Sequence, residues 1–240
     1  MYSDFFAIIL ARGGSKTIPN KNIKKLHNTN CLELTINSLL TVLPKEKILV
    51  SSDSSLIGDI ALNMGVIFLK RPSDLSSDKA TSESAWKHAI QYLAKENCFP
   101  ETIIAPQVTS PLRYLDTFKN ALKKFKIDNY DSLFSATEVS KHSFEWLLEE
   151  SKNILSPLNY DPYRQRKRRQ DNEIDENTKI RENGSFFIFK REGFLKYSNR
   201  FFGKTGFFLQ DKLESIEIDE PLDWILAEAV LKANEDLFIY

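Results

Sequence analysis

Three cations, two glycines and an asparagine crowd into ARGGSKTIPNKN (11–22), as Arg12, Gly13, Gly14, Lys16, Lys21 and Asn22. Glycines let backbone N–H groups approach oxygens closely, and clustered cations offset the charge of a polyanion. A solvated surface turn would hold the same lysines, but it would not need Pro19 to stiffen it. Neither named phosphate fingerprint, GxGxxG or GxxxxGK[ST], is present. Near the other end, Glu217 and Asp219 stand two residues apart in SIEIDEPLDW (215–224). On a strand that spacing sets both carboxylates on one side, where a hard cation finds oxygen ligands. Asp223 also suits the first turn of a following helix. His27, His88 and His142 form no Ser-His or Cys-His pattern, so no covalent nucleophile is expected.

Four more polar clusters lie between these ends. VSSDS (50–54) offers Asp53 or Ser54 as a helix cap, and Asp53 is not expected to be catalytic. RPSDLSSDKATSES (71–84) brings Arg71, Asp78 and Ser82. Ser82 sits where a helix start favours anions, while Ser77, Asp78 or Thr81 would cap the helix carrying Trp86. PQVTSPLR (106–113) offers an amide at Gln107 and hydroxyls at Thr109 and Ser110, suited to a sugar or a ribose, with Ser110-Pro111 equally able to start a helix. RRQD (168–171) and RENGS (181–185) hold Arg169, Gln170, Arg181 and Asn183. An arginine there fits a carboxylate, although most of the RQRKRR run reads as a solvated face.

Elements that could position these clusters are legible in the apolar pattern. FFAIIL (5–10), KILVSS (47–52), VIFLK (66–70) and TIIAPQ (102–107) read as short buried strands, without the alternation of a half-exposed one. Helical spacing joins Leu32, Ile36, Leu39, Leu40 and Leu43, then Trp86, Ala89, Ile90 and Leu93, then Phe118, Leu122 and Phe125. Strand–helix repetition predicts an α/β fold, a mostly parallel sheet with helices on both faces, and ligands bind such sheets at the carboxyl ends of the strands. The ARGGSK, SSD and TSPLR loops would then line one rim. From about 138 to 182 the pattern lapses: FEWLLEE reads as a strand or edge, followed by a polar, aperiodic stretch. ENGSFFIFK restarts a strand, and EPLDWILAEAVLKAN closes as an amphipathic helix with Pro221 near its start.

With 240 residues, 42% hydrophobic and 28% charged, the sequence has enough material for one large domain. Lys+Arg and Asp+Glu balance at 33 each, which predicts neither a nucleic-acid nor a membrane partner. Cys31 and Cys98 lie far apart and read as free thiols, and MYSDFFAIIL lacks a basic region and a long apolar run. A cytoplasmic location is the expectation.

Taken in order, these motifs resemble the N-acylneuraminate cytidylyltransferases. The first loop matches every fixed position of A-R-x-x-S-K-x-x-P-x-K-N, and VSSDS, RPSDLSSDKATS, QVTSPLR, RRQD, NGS and EID are similar to later elements of that family. The resemblance spans residues 7 to about 230. It implies a single cytidylyltransferase domain over 1–240, a Rossmann-like nucleotidyltransferase sheet, and a dimerisation or lid insertion at about 138–182 that embraces a second subunit. It further implies transfer of CMP from CTP to the anomeric hydroxyl of a nonulosonic acid, with Mg²⁺ on Asp219 and Glu217. Ala11, Arg12, Gly13, Lys16, Lys21, Asn22, Arg71 and Ser82 would bind the nucleotide. Gln107, Thr109, Ser110, Arg169, Gln170 and Asn183 would bind the sugar. Arg12, Lys21 and Asp219 would act in catalysis.

Three departures from the family pattern stand out: Val108 for a proline, Glu217 for an aspartate, and the 172–180 link. Legionaminic, pseudaminic or 3-deoxy-manno-octulosonic acid are alternative substrates, although Lys16 argues against the last and TSPLR against pseudaminate. A metal-dependent glycosyltransferase would need a D-x-D motif midway through the sequence, where none occurs, and an inactive nucleotide-sugar binder is the remaining alternative.

Overall fold

The computed structural model describes residues 4–139, 146–149, 154–158, 161 and 179–238. It divides into two units, one formed by the residues up to Ala136 together with Glu182 onward, the other by Thr137–Arg181.

The first unit is built on a seven-stranded sheet. In sequence order its strands are β1 (Phe5–Leu10), β4 (Ile48–Ser52), β5 (Ile67–Lys70), β6 (Thr102–Pro106), β7 (Ser132–Glu138), β10 (Ile180–Lys190) and β11 (Thr205–Leu209), and their spatial order is β11-β7-β10-β6-β1-β4-β5. Two short strands, β2 (Lys25–Leu26) and β3 (Thr29–Asn30), form a separate ladder after the first loop. β1 runs parallel to both β4 and β6, β4 to β5, and β7 to β11, whereas β10 runs antiparallel to β6. The sheet is therefore mostly parallel, as expected. All four N-terminal strands form within a residue of their expected bounds. β7 and β11 had no legible signal of their own.

Helices cover both faces because the inner strands are apolar on both sides. Phe5, Ala7 and Ile9 of β1 face one cluster and Phe6 and Ile8 the other. The first face packs α1 (Cys31–Leu40), α2 (Ser55–Asn63), α4 (Thr117–Ile127) and α6 (Pro221–Ala233). The second packs α3 (Ser82–Lys95) and the short α5 (Arg191–Tyr197), with the buried Trp86 edge-on to Phe189 at 5.6 Å and to Phe187 at 6.2 Å. α6 starts at Pro221 as expected, but its outer face is less polar than an amphipathic helix requires, leaving Leu222, Ile225 and Leu226 exposed.

The strand expected at SIEIDE does not form, since 216–219 belong to no strand or helix. The backbone N–H groups of Ile218 and Asp219 donate to Thr109 O and to the Asp223 carboxylate instead of to a ladder.

The backbone runs from β1 outward through β4 to β5 and then returns to β6 on the other side of β1. Such a reversal of direction opens a crevice at the carboxyl ends of the two strands flanking it. Here those are β1 and β6.

In the second unit, β8 (Trp146–Glu149) and β9 (Ile154–Pro157) pair antiparallel as a hairpin. Leu147, Leu148, Leu155 and Leu158 are exposed on it, and Leu148 lies opposite Leu155. Among the described residues, no helix is long and apolar enough to cross a membrane.

Candidate functional site

The loop after β1 is held by side chains and strands far away in sequence. Ala11 N–H donates to Ser51 O at 3.1 Å, and Gly13 N–H donates to Asp53 Oδ1 at 2.8 Å. A Cβ on Gly13 would meet Ser54 Cβ at 2.8 Å, so only glycine permits this approach, whereas Gly14 has nothing within 4 Å. Asn22 donates through Nδ2 to Arg12 O at 2.9 Å, and its own carbonyl accepts Leu32 N–H at 3.0 Å. Ile18 plugs the underside of the loop as a core residue. The loop is thus ordered, and its cations are not those of a free surface turn.

A cavity of about 480 Å³ opens at the carboxyl ends of β1 and β6. Arg12, Gly14, Lys16, Lys21 and Asn22 line one side, Arg71, Thr81 and Ser82 another, and Gln107, Val108, Thr109, Glu217 and Asp219 the third. Most residues expected at a nucleotide or sugar site therefore line one cavity. Ala11 and Gly13 do not line it; they are tied behind the loop through the N–H bonds above.

The cations differ in how they are satisfied. Arg12 and Lys16 both pair with Asp78, at 2.9 Å and 2.7 Å. Lys21 donates to Ile218 O and pairs with Asp219 Oδ1 at 3.1 Å, with little of its side chain exposed. Arg71 has only 6% of its surface exposed, yet its Nε and Nη2 have no partner among the described residues. Burial lowers its guanidinium pKa, Asp53 opposes that effect, and Arg12 adds to it. A desolvated cation with unused donors on a cavity wall calls for an acceptor from a ligand. Thr81 is the cap of α3, accepting Ser84 N–H at 3.2 Å, which frees Asp78 from that role and presents Ser82 at the helix start.

The acidic pair is set by the last helix. Asp223 accepts the N–H groups of Asp219 and Glu220 at 2.9 Å and 2.8 Å, and Ile218, buried between the two acids, donates its N–H to Thr109 O at 2.7 Å. Glu217 and Asp219 therefore emerge on the same side, both exposed, without the expected strand. Burial raises the Glu217 pKa, and the Asp219 charge raises it further. Thr109 Oγ1 donates to Glu217 at 3.4 Å. Among the described residues no group of three or more His, Cys, Asp or Glu could hold a metal. Two carboxylates alone still fit Mg²⁺, which commonly takes one or two protein carboxylates and completes its shell with water and phosphate oxygens.

Two expected sugar ligands face away from the cavity. Ser110 is fully buried, and its Oγ has no partner among the described residues. Asn183 is buried too, donating at 2.9 Å to both Gln210 Oε1 and Ser215 Oγ. Arg169 and Gln170 lie outside the described residues. Arg113, a match in the same TSPLR motif, is a buried strut: Nε donates to Ser185 Oγ at 3.1 Å, and Nη2 to Gln107 O and Ser185 O at 2.8 Å and 2.6 Å. Burial lowers its pKa and Glu214 opposes that. The sequence signalled Asp53 only as a cap; its role as acceptor for Gly13, forty residues back, carries no local signature.

A profile of the cytidylyltransferase family matches residues 6–227. The chain is 32% identical over 231 residues to an N-acylneuraminate cytidylyltransferase of Escherichia coli O18:K1:H7, covering 95% of this chain and 52% of that protein. It is 30% identical to a CMP-N,N'-diacetyllegionaminic acid synthase of Legionella pneumophila, covering 97% of this chain and 98% of that one. It thus spans about half the length of the first relative and nearly all of the second. Among solved structures, a CMP:2-keto-3-deoxy-manno-octonic acid synthetase complexed with CTP superposes with a TM-score of 0.69 at 13% identity, covering 97% of this chain and 100% of that one. That likeness concerns the fold alone. By the span of its profile match and its identity to these relatives, the chain belongs to the cytidylyltransferase family.

Proposed function

We propose that the cavity binds CTP and that the protein transfers CMP to the anomeric hydroxyl of a nonulosonic acid of the N-acylneuraminate class, releasing pyrophosphate. The observation that carries this reading is Arg71, a desolvated guanidinium with idle Nε and Nη2 in the cavity that Arg12, Lys16 and Lys21 also line. A nucleoside triphosphate supplies both the acceptors and the negative charge that these cations call for.

The anomeric hydroxyl oxygen attacks the α-phosphorus and gives up its proton to solvent, the bond to the bridging oxygen breaks, and the electron pair leaves with pyrophosphate. The protein's part is positioning and charge stabilisation. Arg12, Lys16 and Lys21 stabilise charge on the departing pyrophosphate, while Asn22 keeps Arg12 in place through its carbonyl. Arg71 meets the phosphates or the ribose, Ser82 faces the nucleotide, and Gln107 and Thr109 face the sugar. Glu217 and Asp219 would hold Mg²⁺, which when bound supplies Lewis-acid neutralisation of phosphate oxygens.

Exposed leucines on a two-stranded hairpin support a homodimer, because two strands alone are marginal in water without a covering surface. The free thiols Cys31 and Cys98 fit a reducing, cytoplasmic setting. A second reading, a legionaminate-type acid as acceptor, is favoured by the end-to-end match to the Legionella protein. The test is pyrophosphate release from CTP with Mg²⁺ across N-acetylneuraminate, legionaminate, pseudaminate and octulosonate, with ATP, GTP and UTP as controls. Release with CTP and one nonulosonate supports the reading and names the sugar. Silence across the panel from folded protein overturns it in favour of a binder.

A further inference from the structure

One carboxylate holds two of the cations that line the cavity, Arg12 and Lys16. Asp78 Oδ1 lies 2.9 Å from Arg12 Nη1, and its Oδ2 lies 2.7 Å from Lys16 Nζ. Each oxygen of a single side chain thus takes a different cation, the arrangement two phosphate oxygens would make. The partners come from separate loops, one after β1 and one after β5, sixty-six residues apart for the Arg12 pair. Asp78 does not cap α3, since Thr81 does, and about half of its side chain is exposed, at 53%. Hydrogen bonds from Lys16 and Arg12 hold its carboxyl below the usual range, so it stays ionised wherever the two cations are charged.

We propose that Asp78 is a built-in competitor for phosphate, pinning the 71–81 loop to the 11–22 loop in the unliganded protein and surrendering Arg12 and Lys16 when a polyphosphate arrives. The nucleotide's identity rests on the CTP reading above; the latch itself concerns any polyphosphate. A triphosphate carries several charges against the carboxylate's one and wins both cations. Its charge then repels Asp78, so the two loops part on binding. Once the α–β bond has broken, the smaller pyrophosphate competes less well, and the returning carboxylate helps to expel it. Asp78 therefore weakens ground-state binding of nucleotide and product alike, a cost that favours turnover when product release is slow.

The decisive measurement uses the full-length protein, inorganic tripolyphosphate as probe, and calorimetry at fixed ionic strength. Asp78→Asn is expected to bind it roughly three- to tenfold tighter than the unaltered protein, the scale of two solvent-screened ion pairs released. Asp74→Asn removes the same charge from the same loop, where Asp74 is exposed and, among the described residues, makes no ion pair with Arg12 or Lys16. That control is expected to change affinity by less than about twofold. In the free protein, amide exchange across 12–18 and 72–81 is expected to quicken in Asp78→Asn alone. Unchanged or weaker tripolyphosphate binding by Asp78→Asn overturns the latch, as does equal tightening by Asp74→Asn. If Asp78→Asn tightens tripolyphosphate while CTP is never turned over, the latch stands and the CTP reading falls. If CTP is turned over while tripolyphosphate affinity is unchanged, only the latch falls.

Discussion

Arg71 and Arg113 are both buried arginines near the carboxyl rim of the sheet, and they differ in one respect. Arg113 spends its donors on Ser185, Gln107 and Thr35 and stacks 5.5 Å from the Phe118 ring. Arg71, with Nε and Nη2 idle, lies on the cavity wall. The first arginine is complete without a ligand, and the second is not. For these two arginines burial alone does not separate scaffold from site; unused donors on a cavity wall do.

The comparison is broken most directly by removing each guanidinium. Arg113→Met removes the charged donor that the carbonyls of Gln107 and Ser185 share, leaving each its backbone N–H donor alone and a guanidinium-sized gap in the core, and urea unfolding is expected to show a loss of about 3 kcal/mol. Arg71→Met removes a buried charge whose Nε and Nη2 have no partner among the described residues, so its unfolding midpoint is expected to stay the same or rise. Its affinity for CTP is expected to fall by about 2 kcal/mol, some thirtyfold, by calorimetry. Equal destabilisation by both substitutions would abolish the distinction. Asp53→Asn sharpens it on a smaller scale. The Gly13 N–H keeps an acceptor of lower charge, and the expected loss is about 1 kcal/mol, read as a rise in KM for CTP with kcat little changed.

The smallest expected effect concerns Glu217, whose raised pKa means that the folded protein holds that proton more tightly than the unfolded state. Its contribution is favourable in acid and is lost as pH rises through the folded pKa, leaving an ionised group that costs stability at neutral pH. Metal-free Glu217→Gln is therefore expected to be more stable at pH 7, by no more than about 0.5 kcal/mol given the exposure of the group. The gain should vanish below the ordinary carboxylate range, as thermal unfolding across pH would show.

What the sequence revealed follows the range of the forces involved. The runs around Ile8, Val50 and Ile104 are buried on both sides, and a local apolar stretch says so. β11 was obscure because TGFFL alternates only weakly and owes its place to pairing with β7 across some seventy residues. At the site, residue types were legible and directions were not. Gln107 and Ser110 sit three apart in one motif, yet one faces the cavity and the other the core. Asn183 likewise turns inward to Gln210 and Ser215. Asp53 shows the same limit: its partner is a backbone N–H that no spacing rule points to.

The two neighbouring glycines of the first loop differ sharply in what they tolerate. A side chain at Gly13 collides with Ser54, while one at Gly14 would begin in open space on the cavity wall. Gly14 is therefore an attachment point: a cysteine placed there could carry a fluorophore to the mouth of the cavity without moving the loop. Of the native thiols, Cys31 is buried, its pKa pushed up to about 12, and would stay unlabelled, leaving the half-buried Cys98 to be replaced beforehand. One dye at position 14 would then report in real time, by its own change in brightness, each arrival and departure of an anion.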